Sequence, residues 1–219
     1  MITIKDLKKD EELNVLMDAL STQISALQYT DHSERHSSIV SKWTGEILTA
    51  LGADERTVEL GKIAGYLHDI GNAINRNDHA QTGALLSYDY LMRKGMAPAE
   101  AIQIVMAIAN HDEVHGIPVS QICSALIIAD KSDVHKSRVR NKITSYEEMN
   151  IHDRVNYSAE TSYVEIKDGY ICTNITVNSE LCSVMDYFEI YHSRMQMCRH
   201  AAEFLGYEYT LIINGVKLI

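Results

Sequence analysis

Prolines are scarce: Pro98 and Pro118 are the only two, which leaves few enforced breaks and suits a mainly helical chain. Cysteines are few as well. Cys123, Cys172, Cys182 and Cys198 form no CxxC pair, and Cys123 sits in an apolar run as a buried thiol would, so all four read as reduced. No apolar run approaches the roughly 20 residues of a membrane span, and no signal peptide opens the sequence, so a cytoplasmic protein without membrane contact is expected. Basic residues are in deficit. With 20 Lys and Arg against 30 Asp and Glu, the net charge of −10 disfavours nucleic-acid polymers and anionic membranes as partners. There is no glycine-rich phosphate loop, no GxSxG elbow, no internal repeat and no low-complexity segment.

What is present begins with Leu67-His68-Asp69-Ile70-Gly71. Val58, Leu60, Ile63, Ala64, Tyr66 and Leu67 make the stretch before it a largely apolar helix, with Gly71 as its expected C′ stop. A His and an Asp at the end of a buried helix are costly unless they are paired or bind a metal. The surrounding spacing predicts a first helix from about Lys5 to Leu27. A second is capped by Asp31 with Glu34 in a capping box and runs to Gly52. A third starts from Asp54 and ends at His68-Asp69. A fourth runs from Asp78 to near Gly95, a fifth from Pro98 to near His111, and a sixth from near Val119 to Asp130. From Tyr146 to Ala159 the chain reads as polar and irregular. A hairpin about Asp168-Gly169 follows, then a long helix from Ser179 to about Leu205 and a strand from Tyr207 to Ile213.

If successive helices run antiparallel, His36, His68, Asp69, His79 and His111 fall at one end of the bundle, and Asp130 joins them if the sixth helix crosses the site. Imidazoles and carboxylates at the ends of core helices are what an internal metal site needs. His32, one turn before His36, reads as a surface histidine near a helix start, with a further ligand as the alternative. His115, His135, His152, His192 and His200 read as structural or surface residues, and Asp112 and Glu113 as solvent-facing.

The pieces RHSSIV at 35–40, AGYLHDIG at 64–71, DHAQTGALL at 78–86, AIANHDE at 107–113 and IIADKSD at 127–133 together resemble the HD-domain superfamily of metal-dependent phosphohydrolases, HDIG type, over roughly residues 30–135. The resemblance implies an HD-type helical bundle with one metal on His36, His68, Asp69 and Asp130. It also implies a second metal on His79 and His111, with Asp69 bridging. The set resembles that of two-metal members, among them bacterial diadenosine tetraphosphate hydrolases. It implies hydrolysis of a small phosphate ester or anhydride, such as a nucleotide, by a metal-bound hydroxide, with Asp69 as the catalytic bridge. With no thiolate in the set, Fe, Mn, Co, Ni and Zn all fit as the divalent transition metal. Two such ions about 3.5–4 Å apart share a hydroxide and clamp a phosphoryl group. Asn110 stands before His111 where the HD-GYP branch carries paired histidines, so cyclic-dinucleotide phosphodiesterase activity is not expected.

Lys131, Lys136, Arg138, Arg140 and Lys142 form a basic run directly after Asp130. One reading makes it a phosphate-holding rim, with Lys131, Arg138, Arg140 and, from the loop after Gly71, Arg76 as substrate contacts. The other makes it a solvated helix face. The expected fold class is mainly α, an HD-domain helical bundle with a small C-terminal α+β unit. The expected layout is a helical metal-binding domain over 1–143, a connecting segment over 144–160 and an α+β unit over 161–219. Leu181, Val184, Met185, Phe188, Tyr191 and Met195 recur at helical spacing along the long helix. The unit is therefore expected to pack on the bundle, or on a second copy in a homodimer. Two rivals to the hydrolase reading stay open: a non-catalytic sensor of nucleotide or metal, and a diiron oxygenase.

Overall fold

The structure is a computed structural model and describes residues 1–139, 149–167 and 169–219. The predicted first helix is broken in two. α1 (Ile4–Leu7) is followed by α2 (Glu11–Ala26), because the Asp10 side chain accepts a bond from the Leu13 amide and restarts the helix there. α3 (Glu34–Ala50) starts from Ser33, not from Asp31. The Asp31 carboxylate accepts from the Ser33 amide and hydroxyl, so the capping box expected of Asp31 and Glu34 does not form. α4 (Glu55–Leu67) starts from Asp54 as expected, its carboxylate accepting from the Arg56 and Thr57 amides. α5 (His79–Arg93), α6 (Pro98–Ala109) and α7 (Gln121–Ser132) complete the bundle, with Pro98 in the first turn of α6 and Ser120 capping α7.

Gly71 is a glycine for a different reason from the one its position suggests. α4 ends at Leu67 with His68 as its C-cap, and Gly71 lies inside a short 3-10 turn, Ile70–Ala73, with no positive φ. A Cβ on Gly71 would overlap the His79 carbonyl oxygen and crowd the Gly83 amide. The bare backbone lets the start of α5 lie directly on the turn that carries Asp69, and this contact places His79.

The C-terminal part consists of α8 (Ile151–Ser158), β1 (Ala159–Lys167), β2 (Tyr170–Val177), α9 (Val184–Phe204), β3 (Glu208–Ile213) and β4 (Val216–Lys217). α8 falls in the stretch read as irregular. Its buried face is Asp153, Val155, Asn156 and Ser158, mostly polar, so no apolar stripe announces it. The sheet runs in the order β1-β2-β3-β4, with β2 and β3 parallel and the outer pairs antiparallel. Asp168, half of the predicted hairpin turn, lies outside the described residues. α9 starts four residues later than expected, from Ser183 in a capping box with Asp186. Its buried stripe is also shifted: Tyr187, Tyr191, Met195, Met197, Cys198, Ala201 and Ala202 face inward, whereas Met185 is exposed. α9 packs on α7 and β3, and β1 packs on α3 and α7, so one apolar cluster runs from Leu7 to Ile213. The fold class is mainly α with a small C-terminal sheet, as the sequence pattern predicts. Among the described residues no helix is long and apolar enough to cross a membrane.

Candidate metal centre

The helix ends deliver their polar residues to one buried point. His36 comes from the first turn of α3, His68 and Asp69 from the end of α4, His79 from the start of α5, His111 from just beyond α6 and Asp130 from the last turn of α7. Each of these side chains is buried. α7 packs against both α3 and α4, which brings Asp130 across to the others. His36 Nε2 lies 3.2 Å from Asp130 Oδ1 and 3.8 Å from Asp69 Oδ2. His68 Nε2 lies 3.4 Å from Asp69 Oδ2 and 3.6 Å from Asp130 Oδ1. The other oxygen, Asp69 Oδ1, is 3.3 Å from His79 Nε2 and 3.9 Å from His111 Nε2.

The orientation of the four rings follows from their second nitrogens. His68 Nδ1 faces the Gly65 carbonyl at 2.8 Å, His79 Nδ1 the Arg76 carbonyl at 3.2 Å, and His111 Nδ1 the Ile108 carbonyl at 2.6 Å. A carbonyl only accepts, so in each ring Nδ1 carries the hydrogen and the neutral form leaves a lone pair on Nε2. His36 Nδ1 is 2.7 Å from the Asp133 carboxylate, with the same consequence. All four Nε2 atoms converge on Asp69 and Asp130. Those of His36 and His68 are buried with no hydrogen-bond partner. Two buried ring nitrogens facing two carboxylates are unfavourable unless a cation, a proton or a metal ion, joins them. Among the described residues, the ligand atoms gather in the groups His36-His68-Asp130, His68-Asp69-His111 and His32-His36-Asp69. An N and O donor set with its outer nitrogens anchored fits a divalent transition metal.

The charge balance points the same way. Burial acts against the His68 cation, but the charges of Asp69 and Asp130 outweigh it and lift His68 to about 10. Burial acts against the Asp69 carboxylate too, yet His68 and His32 hold it well below the usual carboxylate range. Asp130 behaves alike, with Lys131 and His36 outweighing burial. At His111 burial and the neighbouring His68 both act against the cation and keep the ring neutral. The centre is thus strongly anionic once its histidines are neutral.

Several residues that shape it lie outside the expected ligand set. His32 is not a surface residue: it is buried, with Nδ1 2.6 Å from Asp69 Oδ2, and burial lowers it to about 3. Its spacing of four from His36 was the available signal, although His32 itself precedes α3. Asp133 orients His36, and Asn72 donates to Asp69 Oδ1 at 2.9 Å. Glu113, expected to face solvent, lies 3.2 Å from Lys131 Nζ.

The basic candidates separate. Lys131 is buried, its ammonium 2.6 Å from Asp130 Oδ2. Arg138 is not on a rim. Its guanidinium is buried and donates to the Asp31 and Asp133 carbonyls, tying the segment before α3 to the end of α7. Arg140, with Lys142, lies outside the described residues. Arg76 is partly exposed, 24%, and 3.9 Å from Asp69 Oδ1, its guanidinium over the Tyr29 ring at 5.7 Å.

The model of the HD domain family matches residues 31–189 of this chain. An uncharacterized protein of Methanocaldococcus jannaschii is 27% identical over an alignment covering 75% of this chain and 70% of its own length. Among solved structures, that of a predicted HD superfamily hydrolase from an uncultured Thermotogales bacterium is similar with a TM-score of 0.46 and 22% identity, over 61% of this chain and 75% of that one.

Proposed function

From its place in the HD-domain family of metal-dependent phosphohydrolases, to which this chain belongs, we propose that the centre holds two divalent transition metals and hydrolyses a small phosphate ester or anhydride of a nucleotide. The observation that carries this is the common tautomer of His36, His68, His79 and His111, each with Nδ1 tied outward and Nε2 turned toward Asp69 or Asp130. His36, His68, Asp69 and Asp130 would hold one ion. His79 and His111 would hold the other, with Asp69 shared by both. Divalent ions so held supply Lewis acidity toward a phosphoryl oxygen and lower the pKa of a bound water.

The chain's own groups supply position and charge. Asn72 and His32 hold the Asp69 carboxylate from either side. Arg76 is the partly exposed basic candidate on the Asp69 Oδ1 side, where it can meet a phosphate. Tyr29, half-exposed beside it, offers ring surface to a base, which favours a nucleotide over a bare phosphate. The test is a phosphate-release screen over nucleoside mono-, di- and triphosphates, dinucleoside polyphosphates and sugar phosphates, with Mn, Fe, Co, Ni and Zn added in turn. Metal-dependent release from a nucleotide, lost in Asp69→Asn, is expected. No release from any compound by metal-loaded protein would overturn the proposal, and oxygen uptake in its place would favour the oxygenase.

A further inference from the structure

The long C-terminal helix touches the metal centre through charge. Asp130 turns Oδ1 toward the histidines and gives Oδ2 to Lys131 Nζ at 2.6 Å. Lys131 Nζ is 3.2 Å from Glu113 Oε1, and the same oxygen is 2.8 Å from Nε of Arg194 on α9. The guanidinium of Arg194 is stacked over the Tyr191 ring at 4.7 Å, which fixes it on the helix. Arg194 lies beyond residues 31–189, so it stands outside the family match. Three residues on, Met197 faces Gly116 so closely that a Cβ on Gly116 would overlap its Cε. The loop that carries His111 and Glu113 therefore meets α9 at two points, an ion pair and a close contact.

We propose that Arg194 is a positioning residue for the metal centre, setting the Asp130 carboxylate through Glu113 and Lys131. The physical reason is the order of charges. Glu113 stands between two cations, Lys131 and Arg194, and Lys131 stands between two acids, Glu113 and Asp130. All are largely withdrawn from water, so each charge relies on its neighbours. Without Arg194, Glu113 is balanced by Lys131 alone and draws the ammonium toward itself. Asp130 Oδ2 then loses its fixed partner, and the carboxylate is free to rotate Oδ1 away from His36 and His68. This gives the C-terminal unit a part in the chemistry, beyond covering the core. Because the chain ends in a metal ligand, the proposal rests on the metal-site reading above, but not on the identity of the substrate.

Cobalt(II) titration of the full-length protein, followed by its visible absorption band, tests it without any turnover. Arg194→Met and Glu113→Gln should each weaken cobalt binding about tenfold and alter the band, as loss of an outer partner does. The double variant should be no weaker than either single one, since both cut the same chain, and Arg194→Lys should recover most of the affinity. Met195→Ala truncates the buried face of α9 and serves as the packing control: it should lower the melting temperature and leave cobalt affinity unchanged. Wild-type cobalt binding in Arg194→Met, or equal weakening in Met195→Ala, would overturn the proposal. If Arg194→Met does not fold, wild-type binding in Glu113→Gln would overturn it as well. Protein that binds cobalt as described yet releases no phosphate would sink the functional proposal and leave this one standing.

Discussion

The two sides of Asp69 differ in how firmly they are built. On the Oδ2 side stand His36, His68 and Asp130, with His32 behind the carboxylate, and each is a fully or nearly fully buried group: His68 is held by helix backbone, His36 and His32 by an acid and Asp130 by Lys131. On the Oδ1 side stand His79 and His111, and beyond them the partly exposed Asp112 and Arg76, at 18% and 24%. Asp112 Oδ1 lies 3.8 Å from His79 Nε2. The closed side brings two buried carboxylates, Asp69 and Asp130, to its histidines, whereas the open side has one buried carboxylate oxygen, Asp69 Oδ1, and the partly exposed Asp112. Affinity for metal should therefore be higher on the closed side, and access for substrate better on the open side.

The largest effect comes from removing what both sides share. Asp69→Asn should strip both metals and cut turnover about a thousandfold, equivalent to about 4 kcal/mol in the barrier. The metal-free protein should lose only about 2 kcal/mol of stability, or about 4–8 °C in melting temperature, because the amide oxygen still accepts from Asn72 and only the bond from His32 is lost. Metal analysis, turnover and a thermal melt on one preparation decide it, and wild-type turnover would remove Asp69 from the bridge. The next effect separates the sides. The double variant His79→Ala, His111→Ala should fall from about two metals per chain to one, whereas His68→Ala should lose nearly all. Two metals retained in the double variant would show that the open side holds none through these residues.

Much of the site was legible because helices are legible. Asp54, the Gly95 stop and Pro98 mark the far ends of α4, α5 and α6 by simple capping chemistry, and His68, His79 and His111 stand at or just beyond the opposite ends. Asp133 was not legible, and His32 only as an alternative ligand through its spacing from His36, since each acts through another residue and lies outside a helix. The basic run misled for a related reason. Charge in sequence suggests a surface, but Lys131 and Arg138 are buried where acids or carbonyl groups receive them. In the C-terminal unit the hairpin was clear from its alternation. α8 was hidden because it buries Asp153, Asn156 and Ser158, and the stripe of α9 was misplaced because two adjacent aromatics, Tyr187 and Phe188, fit helical spacing about equally well.

His32 offers a finer test of the closed side. It donates to Asp69 from behind and was a ligand only in the alternative reading, so His32→Ala should weaken metal binding by about 10–100-fold while leaving the stoichiometry at two. A fall to one metal per chain would instead make His32 a ligand in its own right.

The smallest effect is graded, and it concerns the proton that competes with the metal at His68. In the metal-free protein burial opposes the His68 cation, but Asp69 and Asp130 outweigh it and raise the group to about 10. A folded-state pKa above the unfolded value of about 6.5 stabilises the metal-free fold fully below pH 6.5, and that contribution is lost as pH rises toward 10. Asp69 and Asp130, held below the usual carboxylate range, and His32, held at about 3, stay in one state throughout this window. Metal binding has the opposite sign, because the ion must displace the same proton from Nε2. Apparent affinity for the first metal should rise about tenfold per pH unit between pH 7 and 9, with release of about one proton per ion. The melting temperature of the metal-free protein should fall over the same range. Calorimetric titration in buffers of different ionisation enthalpy measures the proton, and melts of the stripped protein measure the stability. In His68→Gln the fall of melting temperature over this range should flatten. Metal affinity that stays level from pH 7 to 9 in the wild type would mean that no such proton is held there.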